Sequence, residues 1–219
     1  MDMNITDKKK FPLWAAVWCI ALAVLGRAVG ILYSNLATNV VYADSFFCLM
    51  LPTLRQLLFD LCFAVSAGAV MACYLKKIPS RPVYITYAAV VFADGAAAII
   101  IDVLSGVFMY DPARLILGIV YRLGLALYFA VMLLLSTAIG KAMLKRGGAV
   151  GISVTVAAVL PAAVDLISVM WKSLSALIEV DFMPYPDEVY TILFEIGVVL
   201  LTGVLSAIIA VTAVNRAKK

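Results

Sequence analysis

Six apolar runs, each about twenty residues or longer, decide what this 219-residue chain can fold into. They fall at about 11–33, 53–75, 82–108, 114–140, 150–177 and 189–214. A helix rises about 1.5 Å per residue, so roughly twenty apolar residues cross a hydrocarbon layer ~30 Å thick. Within that layer the backbone must satisfy its own polar groups, and a helix does so. Composition agrees: 65% of residues are hydrophobic and 14% charged, and the mean hydropathy is +1.09. Soluble domains are closer to half apolar and a quarter charged. No polar stretch is long enough for a separate soluble domain. The expectation is an all-α polytopic membrane protein, residues 1–219 forming one membrane domain in the cell membrane.

The first run, Phe11–Tyr33, begins like a signal peptide, with Lys8-Lys9-Lys10 ahead of it and Ala21-Leu22-Ala23 within it. It continues well past that point, which favours a retained helix. Before the second run stands a short apolar piece, Phe46–Leu51, followed by Pro52. Either the piece extends the second helix, kinked at Pro52, or it lies at the interface as a flap.

Orientation follows from charge. Loops rich in Lys and Arg stay in the cytoplasm. The N-terminal head, the 76–81 turn, the 141–146 turn and the C-terminal tail hold nearly all the basic residues. The alternate connections hold Asp44, Asp111, Glu179, Asp181, Asp187 and Glu188. Six spans with both termini cytoplasmic fit every loop.

Topology then gives each intramembrane charge a depth. Arg27 stands about sixteen residues, or ~24 Å, above the inner edge. Asp102 and Asp165 come out similarly high. Arg122, Asp60 and Glu195 lie on descending helices, one to two turns below the outer edge. Six charges from six helices therefore converge in the outer half, with Asp94 nearer the midplane. A carboxylate in hydrocarbon needs a partner, a wet cavity or a proton. Two bases, Arg27 and Arg122, neutralise at most two of the five acids. The second span, about 53–75, also carries Arg55. This balance predicts an acidic cavity open to the outside, holding a cationic or mixed-charge solute. Aromatic residues crowd the same end, and Phe46, Phe47, Tyr110, Trp171 and Tyr185 are candidates for a lid over it.

Other chemistries are disfavoured. The chain has no histidine, which removes imidazole acid–base catalysis, Ser–His and Cys–His pairs and imidazole metal sites. The four cysteines, Cys19, Cys48, Cys62 and Cys73, show no metal-ligand spacing and read as small buried hydrophobes. Phe92-Ala93-Asp94-Gly95 lacks the Gly-x-Gly-Asp pattern of intramembrane aspartyl enzymes. The expectation is a protein that is not an enzyme, carries no cofactor or metal, and meets no nucleic acid.

Six spans, cytoplasmic termini, about two hundred residues, a long external loop after the first helix and small residues along that helix resemble the S-component, the substrate-binding subunit, of energy-coupling-factor transporters. The resemblance implies a solute held near the outer face under a loop lid. It also implies an Ala-x-x-x-Ala stripe that docks a transmembrane coupling subunit carrying two ATPases. The matching positions are Ala15, Cys19 and Ala23, with Cys19 standing where the pattern has alanine. Two other classes fit the composition: a self-contained proton- or ion-coupled transporter or channel, and a non-transport scaffold or immunity-type protein whose charges are structural.

Overall fold

The computed structural model describes residues 5–37, 46–104, 112–179 and 186–218. Among these residues the chain forms six helices and no strand: α1 (Ile5–Ala37), α2 (Phe46–Leu75), α3 (Arg81–Leu104), α4 (Pro112–Lys145), α5 (Val150–Glu179) and α6 (Pro186–Lys218). All six contain a stretch long and apolar enough to span a membrane. The chain is an all-α, multi-pass membrane protein. Each predicted span is recovered, most of them extended by one or two turns. The piece before Pro52 is the first turn and a half of α2, with Pro52 inside that helix; no interfacial flap forms there.

One helix is the axis of the bundle. α2 packs against each of the other five, which follow one another around it in the order α1, α3, α4, α5, α6. In its membrane stretch 78% of α2 is buried, against 17–33% for its neighbours. From Cys62 to Cys73 every residue is buried. That stretch is built from Ala64, Ser66, Ala67, Gly68, Ala69 and Ala72, all small. Where lipid tails compete with side chains as apolar solvent, helices associate by close van der Waals packing, which small residues permit. Close approaches lie along this stretch and at the adjoining α4–α5 contact. A Cβ on Gly68 would stand 2.9 Å from the Ala210 Cα, and one on Gly140 would stand 2.8 Å from the Ser153 carbonyl oxygen.

The α2–α3 and α4–α5 turns use one device. Ile78 N–H donates to the Cys73 carbonyl (2.8 Å) and Lys77 N–H to that of Tyr74 (3.2 Å), while Gly148 N–H donates to Met143 (2.9 Å) and Gly147 N–H to Leu144 (3.1 Å). Both are Schellman caps, which need a left-handed residue just past the helix. Gly147 (φ 83°) takes that conformation without steric cost, and Lys77 (φ 55°) takes it despite its Cβ. Near the same end, the Tyr84 hydroxyl and Thr137 Oγ1 lie 2.7 Å apart, and Lys141 Nζ donates to the Tyr84 hydroxyl at 3.1 Å. Lys141 also sits over the rings of Tyr74 and Tyr84, tying α2, α3 and α4 together.

The small-residue stripe of α1 is used inside the chain. Ala15, Cys19 and Ala23 are only 2%, 2% and 7% exposed. Ala15 packs with Val65, Ala69 and Cys73, and Cys19 with Cys62, Phe63 and Ala67. The expectation that this stripe is a surface for a coupling subunit is therefore corrected: α2 covers it. The cysteines behave as expected of small buried residues. Cys19, Cys62 and Cys73 are buried, with Cys19 Sγ 2.8 Å from Cys62 Sγ; the side chain of Cys48 lies outside the described residues.

Candidate functional site

At the end opposite the two capped turns, the packing around α2 loosens. Residues 50–57 of the axial helix alternate between exposed and half-buried, apart from buried Leu51. A cavity of about 260 Å³ opens there between α1, α2, α3 and α4, just below the ~300–1,000 Å³ of typical ligand pockets. Its polar wall is Arg55, Gln56, Asp94 and Arg122, and its apolar wall includes Phe59, Val91, Leu125 and Phe129. Tyr33 and Tyr121 also line it.

Arg27 reaches from α1 across to α3 and clamps Asp94. Its Nε donates to Asp94 Oδ1 at 2.7 Å and its Nη2 to the Asp94 main-chain carbonyl at 2.5 Å. The same Nη2 lies 2.5 Å from Oδ1, with the two side chains 18% and 14% exposed. Arg55 approaches the other carboxylate oxygen at only 3.7 Å and is 31% exposed. Its guanidinium lies 5.8 Å over the Phe59 ring. Two glycines of α1 make room for these side chains: a Cβ on Gly26 would meet the Phe59 ring at 3.2 Å, and one on Gly30 would meet Arg55 Cδ at 3.2 Å. Arg122 Nη2 stands 3.5 Å from Asp102 Oδ2, joining α3 to α4.

The seven candidate ligand residues thus divide. Arg27, Asp94, Asp102 and Arg122 come together around the cavity. Asp60 and Asp165 form a second cluster between α2 and α5, bridged by Gln56. The Gln56 amide donates to Asp60 Oδ1 at 3.4 Å and to Asp165 Oδ2 at 3.3 Å. Asp60 is 5% exposed. Glu195 is exposed on α6, a helix that packs on α2 and α5 and contributes nothing to the cavity wall. Convergence of six charges from six helices does not occur: the bundle has an axis, so helices on opposite sides of α2 cannot share one vestibule.

Arg55 corrects the charge balance. A second span beginning at Thr53 puts this arginine at the membrane edge, but α2 begins at Phe46, which carries Arg55 about nine residues into the helix. The charges that act on Arg55 are Arg27, Asp94, Arg122 and Asp102. Three guanidiniums and two carboxylates thus form the cluster, and the cavity is mixed-charge with a basic excess, not acidic. The signal that could have found this was the apolar run Phe46–Leu51, read as the first turn of the helix.

Of the lid candidates, Trp171 is 70% exposed on α5 and does not line the cavity. Tyr110 and Tyr185 lie outside the described residues, as do the side chains of Phe46 and Phe47. Among the described residues no polar track continues below the cavity. Ser136 and Thr137 return their hydroxyls to the Leu133 carbonyl (3.2 and 2.7 Å), and Thr202 returns its own to Val198 (2.8 Å). The α2 stretch Cys62–Cys73, which lies beyond the cavity lining, is buried throughout. No family model, no curated protein and no solved structure matches this chain.

Proposed function

We propose that this protein is a membrane transport protein that takes a small, mixed-charge solute from outside the cell into the cavity between α1, α2, α3 and α4. The observation that carries this reading is the contrast along the axial helix. Its outer part opens onto a charged vestibule of about 260 Å³, while Cys62–Cys73 is sealed on every side. Water in a cavity would lower the desolvation cost of any ion-pair cluster, but a cluster that only fixed helix packing would need no recess walled by Phe59, Val91, Leu125 and Phe129 beside its charges. The external placement rests on the basic turns and the helix ends carrying Lys76, Lys77, Arg81, Lys145 and Arg146, all opposite the cavity.

A sealed inner stretch without a polar track fits a subunit that delivers its solute together with other subunits, such as a coupling protein driven by ATPases. The Asp60–Gln56–Asp165 cluster favours a second reading, a self-contained proton-coupled transporter, since intramembrane carboxylates serve as proton carriers.

A thermal-shift screen of purified protein against amines, carboxylates, phosphates, nucleosides and metal ions tests capture. A bound solute raises the melting temperature by mass action, and Leu125→Trp, which fills the cavity, should remove the shift. If no solute class stabilises the wild type, capture is refuted. Uptake of the stabilising solute into liposomes without any ATPase separates the two transport readings.

A further inference from the structure

We infer that the solute carries an anionic group, a carboxylate or phosphate, held between Arg55 and Arg122, and a flat apolar or aromatic body against Phe59, Tyr121 and Phe129. This inference rests on the reading of the cavity as a solute site and names what that site takes.

The three arginines are not equivalent. Arg27 is consumed: it makes three close contacts to Asp94 and is largely enclosed. Arg55 and Arg122 each have one ion pair among the described residues, at 3.7 and 3.5 Å, and both stay about 30% exposed toward the cavity they line. Charge-assisted N–H···O bonds run at ~2.7–2.9 Å, so these two guanidiniums hold unspent donors. Asp94 gives Oδ1 to Arg27 and meets Arg55 only through Oδ2, at 3.7 Å. Five guanidinium N–H groups fixed in a plane suit a carboxylate or phosphate, and a carboxylate brings the cluster of three bases and two acids to neutrality. Asp60 and Asp165 do not supply it, since they face Gln56 and each other across α2 and α5. An ammonium solute would meet an arginine excess instead. The rings of Phe59, Tyr121 and Phe129 supply the apolar wall, and the modest volume limits the body to about one ring.

Matched probes test this: benzoate, phenyl phosphate, benzylamine, benzyl alcohol and acetate, each titrated against the full-length protein in phosphatidylcholine nanodiscs. Benzoate or phenyl phosphate should give a saturable rise in melting temperature; benzylamine, benzyl alcohol and acetate should not. Arg55→Gln and Arg122→Gln should each weaken the anion about tenfold or more, while Arg55→Lys retains part of the binding. A readout independent of variant folding uses the wild type. Phenylglyoxal modification, read by mass spectrometry, should be slowed at Arg55 and Arg122 by benzoate and unchanged at Arg216. Benzylamine or benzyl alcohol binding as well as benzoate overturns the anion assignment and leaves the solute cavity standing. Acetate binding as well as benzoate overturns the apolar-body assignment. A benzoate shift abolished by phosphatidylglycerol nanodiscs assigns the site to a lipid headgroup, against the proposal. If no probe of any charge binds, both the inference and the cavity reading fall.

Discussion

Asp94→Asn isolates the interaction that holds α1 to α3 beside the cavity. The substitution keeps the shape and one acceptor oxygen but removes the charge that Arg27 grips at 2.5–2.7 Å. At an effective dielectric constant near 20, two unit charges at ~4 Å interact by about 4 kcal/mol. Part of that is retained, because the asparagine oxygen still accepts from Nε and the Asp94 main-chain carbonyl still accepts from Nη2. Breaking a buried pair by deleting one partner costs ~3–5 kcal/mol, and the residual exposure of 18% and 14% lowers that figure. The expected loss is about 2 kcal/mol. Arg27→Gln combined with Asp94→Asn removes the orphaned guanidinium as well and should recover at least half of it. The looser Arg122–Asp102 pair, at 3.5 Å and 28% and 32% exposed, behaves more like a surface pair. Arg122→Gln should therefore cost below about 1 kcal/mol. Equilibrium unfolding in bicelles measures the wild type, both single variants of the pair, the double variant and Arg122→Gln. An Asp94→Asn cost under ~0.5 kcal/mol, or a double variant as unstable as the sum of its singles, would refute the clamp.

Other substitutions probe the packing that frames the site. Gly68→Ala places a methyl 2.9 Å from the Ala210 backbone and should destabilise by about 1–3 kcal/mol in the same unfolding assay. Gly124→Ala, with open space around its Cβ position, should instead be neutral or stabilising by up to ~1 kcal/mol; equal effects at both glycines would contradict the α2–α6 contact. Gly30→Leu should leave yield and monodispersity intact on size-exclusion chromatography yet abolish the benzoate shift, since Arg55 can no longer lie across α1. Finally, in a Cys48→Ser/Cys73→Ser background with a protease site inserted within residues 38–45, copper-phenanthroline should join Cys19 to Cys62. Fragments that separate on a non-reducing gel after cleavage would contradict the α1–α2 register.

Secondary structure and the number of spans were legible in the chain itself because hydrocarbon imposes a rule of length: about twenty apolar residues, backbone closed on itself. That rule located all six helices within a turn or two and placed Arg27, Asp94, Asp102 and Arg122 at compatible depths. It could not assign azimuth. Depth along a helix is a one-dimensional quantity read from residue count, whereas partnership depends on which helix stands next to which and on the rotation of each. Only the tertiary arrangement showed that α2 is the axis, that Asp60 and Asp165 are bridged by Gln56 between α2 and α5, and that Glu195 points away. The stripe Ala15, Cys19, Ala23 illustrates the same limit, because small residues permit close approach without naming the helix that approaches. The weight of Arg55 in the charge balance was not legible for a related reason. The distance of this residue from the membrane edge depended on where α2 begins, and six apolar residues ahead of a proline are compatible with two conformations until neighbouring helices select one.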